Sequence, residues 1–292
     1  MTTETLISPP RQPRWWLSDI TLLTADKAAG PLVHLPDAAT SLVLRTASAT
    51  RETELLVVGP RTRAAYHTGK DFPPCLRIRL RPGAARLLLG VSMRELVDRV
   101  IPLGELMGGT AGLAERTSGE PEIVLKRIEA ALLDGRSGAD LARSRLVGTA
   151  AEVLTARCDG RREQLPALAR RLAVSERHLR DLFTDHVGIA PKRFERIARV
   201  RQVLTHGRTG TPRWAQLATT TGYYDQSHLT ADFRALIDVP PAAFFAGRLP
   251  ALHPCQAMAD HEVIGSSHDG TSHPPGLLRS WRHRRQRVGR RP

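Results

Sequence analysis

A stretch of about fifty residues occurs twice in the second half of this 292-residue chain, and no other feature narrows the possible folds as much. Leu165 aligns with Trp214, Leu168 with Leu217 and Ala169 with Ala218 at an offset of 49. After one inserted residue the offset becomes 50: His178 meets His228, Leu179 Leu229, Phe183 Phe233, Pro191 Pro241 and Phe194 Phe244. Each copy reads as a short helix, a tight turn and a longer helix, the arrangement that lets a second helix enter the major groove of DNA.

In the first copy LPALARRL is the supporting helix, AVS the turn and ERHLRDLFTDH the second helix. Ser175 suits the N-cap, and Glu176 beside it suits the positive helix end. In the second copy these parts are WAQLATT, TGYY and DQSHLTADFRAL, with Asp225 as N-cap and Gly222 where the turn needs a permissive backbone. Helical spacing turns Leu179, Leu182 and Phe183 inward, so Glu176, Arg177, Arg180, Asp181 and Thr184 face outward. In the second copy Leu229, Phe233 and Leu236 turn inward, leaving Gln226, Ser227, Thr230 and Arg234 outside. These nine outward residues are the candidate DNA-binding set, because forked Arg and Gln groups make paired hydrogen bonds to base edges and hydroxyls make single ones. His178 and His228 are expected to pack behind their helices. Between the copies, KRFERIARVRQVLTHG is one continuous helical pattern. A helix there would hold the two units for successive major grooves about 34 Å apart.

Charge agrees with a polyanionic partner. Lys+Arg 43 against Asp+Glu 29 gives a formal +14. Residues 161–206 carry 11 Lys+Arg and 5 Asp+Glu, net +6, whereas residues 207–248 carry 4 and 3, net +1. The first unit should therefore supply most of the salt-dependent phosphate affinity.

Upstream, the runs LVHL, SLVLRT, ELLVVG and LRIRLR read as strands, the last alternating apolar and Arg at period two. Helical spacing follows over 84–89, 92–100, 121–133 and 139–156, with Ser92 and Glu95 placed as a capping box. The expected fold class is α+β: a β-rich N-terminal domain with following helices, then an all-α C-terminal domain of two helix-turn-helix units joined by a linker helix. The boundaries read as an unstructured N-terminus 1–13, a β-rich then helical sensing or dimerisation domain 14–158, a linker 159–163 and a DNA-binding domain 164–248. Within the last, the first helix-turn-helix spans 165–186, the linker helix 191–206 and the second helix-turn-helix 214–237. A tail over 249–292, polar and with seven arginines from Arg279 to Arg291, reads as disordered.

The residues LARRLAVSERHLRDLF, the stretch Gly188 to Phe194, and LATTTGYYDQSHLTADF followed by VPPAAF resemble the DNA-binding domain of the AraC/XylS family of bacterial regulators. Thr221 and Tyr223 depart from that pattern where Leu and Phe are usual, and Leu229 replaces a common aromatic. The resemblance implies promoter binding and control of transcription by a cytoplasmic, nucleoid-associated protein. Double-stranded promoter DNA is the implied partner. RNA polymerase, a small-molecule effector at the N-terminal domain and a second copy of the chain are the further partners to consider. An architectural DNA binder is the alternative, separable by its specificity ratio at fixed salt. Catalytic motifs are missing, so no enzyme is expected. No cofactor is expected, nor a metal: His34 and His67 lack a His-x-His partner pattern, and His253, Cys255 and His261 lack ligand spacing. Cys75, Cys158 and Cys255 suggest no disulfide framework, and no 18-residue apolar run suggests a membrane span.

Overall fold

The computed structural model describes residues 2–7, 14–25, 30–46, 53–68, 74–106, 121–133, 136–156, 165–207 and 213–254. The chain opens with eight strands: β1 Thr2–Ile7, β2 Leu17–Ala25, β3 Leu32–His34, β4 Ser41–Thr46, β5 Thr53–Val58, β6 Ala65–His67, β7 Cys75–Leu80 and β8 Val100–Pro102. Six of them form one antiparallel sheet in the order β1-β2-β7-β4-β5-β8, while β3 and β6 make a separate two-stranded ribbon. In β7 the pleat turns Leu76, Ile78 and Leu80 into the core and leaves Arg77 and Arg79 half-buried on the other face. Register then stacks Ile20 and Leu42 on either side of Ile78.

Helices α1 Ala84–Leu89, α2 Leu103–Leu106 and α3 Pro121–Leu133 cover the sheet. Their Leu87, Leu88, Val124 and Ile128 join Trp16, Leu42, Leu55 and Ile78 in a first hydrophobic core. The second core gathers α4 Gly138–Ala156, α5 Leu165–Arg171, α6 Glu176–Val187, α7 Pro191–His206, α8 Trp214–Thr220, α9 Gln226–Ile237 and α10 Pro241–Phe245. Ala38 and Tyr66 from the strand region complete that second core. The α+β class follows directly from this division.

Three sequence expectations are corrected here. Residues 1–13 were expected to lack structure, yet Thr2–Ile7 pairs with β2 from Thr2↔Ala25 to Ile7↔Ile20. Its Thr and Ile residues suit extended backbone, and its mixed polarity suits a sheet edge. The helix expected over 92–100 is a single 3-10 turn, Met93–Leu96, in which Ser92 makes no side-chain cap bond. Val97 ends it; the next residue, Asp98 (φ +54°), accepts bonds from the backbone N–H (2.6 Å) and hydroxyl (2.5 Å) of Thr62, after which Val100–Pro102 joins β5. The tail expected to be disordered from 249 begins with an ordered segment. His253 N–H donates to the Tyr66 carbonyl (3.0 Å), and Thr68 N–H donates to the His253 carbonyl (2.9 Å). The linker 159–163, Cys255, His261 and the arginine-rich end lie outside the described residues. Among the described residues no helix is long and apolar enough to cross a membrane, and no three metal-binding side chains cluster.

Candidate nucleic-acid interface

The two repeat copies build matching pieces of backbone. At the start of α6 the Ser175 hydroxyl accepts from His178 N–H (3.1 Å), and at the start of α9 the Asp225 carboxylate accepts from His228 N–H (2.7 Å). Each bond satisfies one of the orphan donors of a first turn. Left-handed residues punctuate both copies at equivalent places. Ala173 (φ +55°) and Gly222 (φ +75°) end the supporting helices, and Gly188 (φ +92°) and Asp238 (φ +67°) end the long ones. The first turn thus uses an alanine for the strained position that the second gives to glycine.

Burial sorts the faces of both long helices. Leu179 and Phe183 are fully buried and Leu182 nearly so, with Phe183 meeting Phe194 of α7 edge to face at 5.2 Å. Leu229, Phe233 and Leu236 are buried in α9. Of the candidate set, Arg177, Arg180, Asp181, Gln226, Ser227 and Arg234 are exposed, while Glu176, Thr184 and Thr230 are half-buried. The first-unit arginines already have neighbours on their own helix. Arg180 pairs with Glu176, Arg177 lies 3.9 Å from Asp181 with 94% of its side chain exposed, and Thr184 donates to the Arg180 carbonyl (2.6 Å).

Of the paired histidines, His178 departs from expectation. His178 is exposed, because it precedes Leu179 by one residue and is turned about 100° off the buried stripe. His228 is half-buried, edge-on to Tyr223 at 5.2 Å.

Sequence reasoning passed over three further groups. Asp232, buried on the inner face of α9, pairs with Arg196 (2.9 Å) and Arg199 (3.5 Å) of α7, and the Arg199 guanidinium lies 4.7 Å from the centre of the Tyr223 ring. This network fixes the second long helix to the linker helix. It also removes Arg196 and Arg199 from the cations free to meet phosphate, and Arg201 is likewise engaged with Asp37 (3.2 Å) and the Pro36 carbonyl (3.1 Å). An arginine pair three residues apart in α7 was its only sequence trace. The second group is His186, buried at the end of α6, whose pKa burial lowers against the opposing pull of a Gly83 backbone bond and Asp185. The third is Tyr224, 87% exposed in the second turn.

The N-terminal region touches both long helices at their C-terminal ends. On α6, Arg86 pairs with Asp185 (2.9 Å), and the Met93 carbonyl lies so close to Gly188 that an added Cβ would sit 2.6 Å from it. On α9, Ala64 N–H donates to the Leu236 carbonyl (2.7 Å), the Tyr66 hydroxyl donates to the Ile237 carbonyl, and Arg63 pairs with Asp238 (2.9 Å).

Two helix-turn-helix units on a shared linker helix define a DNA-binding protein of the helix-turn-helix class. Residues 168–247 match a family described as a helix-turn-helix domain. Residues 168–247 thus form a helix-turn-helix domain, the kind of unit that presents a helix to DNA. Solved structures similar to it include the C-terminal domain of AraT, a response regulator from Geobacillus stearothermophilus, at 17% identity and TM-score 0.34, covering 40% of this chain and 96% of that one. The DNA-binding domain of AdpA, solved with a target DNA, is 24% identical at TM-score 0.31, covering 36% and 91%. ToxT from Vibrio cholerae is 10% identical at TM-score 0.37, covering 78% and 96%. Comparison with curated proteins finds no match.

Proposed function

We propose that the chain is an AraC-type, sequence-specific regulator of transcription that binds double-stranded promoter DNA in the cytoplasm through the outward faces of α6 and α9, and that its N-terminal region regulates this binding. The supporting observation is the pair of capped, amphipathic helices whose outward faces carry Arg177, Arg180, Asp181, Gln226, Ser227 and Arg234. Glu176, Thr184 and Thr230 flank them as partly buried members of the same contact set. The first unit anchors and the second modulates. Even with Arg196, Arg199 and Arg201 engaged internally, the first unit and the start of α7 expose Arg170, Arg171, Arg177, Arg180, Lys192 and Arg193, against Arg213, Arg234 and Arg248 in the second.

Control from the N-terminal region is a reading of where it grips. A change of shape there, on binding a small-molecule effector or a second copy of the chain, acts on the C-terminal ends of both readers at once. RNA polymerase is the remaining partner of an activator of this design. The experiment is a binding-site selection with the full chain, followed by affinity measurements at fixed salt. Removing Arg177 and Arg180 should weaken binding more than removing Gln226 and Arg234. The reverse ranking would overturn the anchoring role, and equal affinity for all duplexes would overturn sequence-specific reading.

A further inference from the structure

The repeat contains its own comparison. Val174 and Tyr223 occupy the same place, since their N–H groups donate to the Ala169 and Ala218 carbonyls at 3.0 and 2.9 Å, 49 residues apart. The caps Ser175 and Asp225 are 50 apart. One residue therefore lies in the second turn without a counterpart in the first, and it is Tyr224. It is the most exposed large hydrophobic side chain among the described residues, at 87%, where Leu6 reaches 66% and Ile123 45%. It directly precedes the cap of α9 and adjoins the exposed Gln226 and Ser227.

An aromatic ring standing in water loses the burial that usually justifies its size. Here the inserted residue carries such a ring beside the N-terminal end of a helix offered to DNA, where the Asp225 carboxylate already takes the His228 N–H, so a phosphate reaching that rim needs another donor. Among its described residues this unit exposes Arg213, Arg234 and Arg248 as cations, fewer than the first, so part of any backbone grip it makes falls to neutral groups.

We propose that Tyr224 is a DNA-contacting residue of the second unit, its ring lying against a deoxyribose at the rim of the major groove and its hydroxyl donating to a phosphate oxygen. This rests on the DNA-binding reading above. It adds a contact that the first unit cannot make, and one that neutralises no phosphate and so releases no counterion.

The test uses the full chain on its selected duplex and on an unrelated duplex, with Kd measured from low to moderate salt. Tyr224→Ala should raise Kd about 10-fold and Tyr224→Phe about 3-fold, the latter isolating the hydroxyl. In both variants the slope of log Kd against log salt should stay that of the wild type, whereas Arg177→Ala should reduce the slope by about 0.9. Unfolding midpoints of the Tyr224 variants should match the wild type, because the side chain makes no buried contact. Hydroxyl-radical footprinting should lose protection at one or two sugars with Tyr224→Ala. A Tyr224→Ala affinity within 2-fold of wild type would overturn the proposal, as would an altered salt slope. Retention of full DNA binding with loss of binding to a protein partner would overturn it too. If the wild type binds both duplexes alike, sequence-specific reading fails while the Tyr224 contact stands or falls separately, since a phosphate contact is measurable on any duplex.

Discussion

Gly188→Ala tests how firmly the N-terminal region holds the first long helix. Two penalties add at this position. The backbone there is left-handed, at φ +92°, which costs a residue with a Cβ about 1 to 2 kcal/mol. The added methyl would also lie 2.6 Å from the Met93 carbonyl oxygen, 3.1 Å from its carbon and 3.0 Å from Val97 Cγ2. Backbone atoms cannot rotate aside as the end of a long side chain can, and overpacking of this kind costs about 1 to 3 kcal/mol. The total is about 2 to 5 kcal/mol. Gly90→Ala supplies the control, because Gly90 also ends a helix in the left-handed region (φ +68°) but has nothing within 4 Å of the new methyl. It should cost about 1 to 2 kcal/mol. In thermal unfolding of the full chain, at about 2 to 4 °C per kcal/mol for a protein near this size, Gly188→Ala should melt about 5 to 15 °C below wild type and several degrees below Gly90→Ala. Limited proteolysis should cut the Gly188→Ala protein faster between its two cores, since separating Met93 from α6 relieves the clash. Equal melting temperatures for the two variants would refute the close docking of Met93 on α6.

Tyr66→Phe should destabilise the chain by about 1 to 2 kcal/mol in urea unfolding, because the Ile237 carbonyl loses its buried donor. Arg63→Ala should change stability by less than about 1 kcal/mol, its ion pair with Asp238 being largely exposed. Asp232→Asn leaves the buried Arg199 without its charged partner and should cost about 3 kcal/mol, read by the same unfolding assay. Acid should weaken the fold before carboxylates titrate. Burial holds His34, His67 and His186 neutral, with His34 lowered to about 3 by burial and then by Arg61, His67 and Arg77. Once unfolded, each takes a proton near its ordinary value of about 6.5. The unfolded chain therefore binds more protons below that pH, and stability falls as pH drops from 6.5 toward the folded values. Unfolding midpoints measured from pH 7.5 to 5 should decline, and His34→Gln should reduce that pH dependence by up to one proton; a flat profile would contradict the assignment.

The helical half was legible because each long helix buries one stripe and exposes the other, so period alone separates Leu179 and Phe183 from Arg177 and Arg180. Strand β7 was legible for the same reason at period two. Strand β2, LSDITLLTA, was not, because Ser18, Asp19 and Thr21 interrupt its apolar run and a register shift between Leu17 and Asp19 breaks its alternation. The segment after Ser92 imitates a capped helix locally, but strand pairing to β5 outweighs that propensity. Interactions between distant segments left no local trace. Asp232 meets arginines 33 and 36 residues away, and Tyr66 meets a carbonyl 171 residues away. The sequence shows one residue inserted between Ala218 and His228; that it is Tyr224, and that its ring stands in water, came only with the fold.

Helix α4 has a consequence for anyone cutting or recombining this chain. By order of sequence it closes the N-terminal region, but its Val147, Ala150, Ala151 and Leu154 are buried with Leu168, Leu179 and Phe183. A fragment beginning at residue 159 would leave an apolar trough along α6 and α7 open to water and prone to self-association. A chimera joined there would seat a foreign helix, or none, against the first DNA-reading unit. The workable seam lies ahead of Gly138, so α4 travels with the readers as their keel.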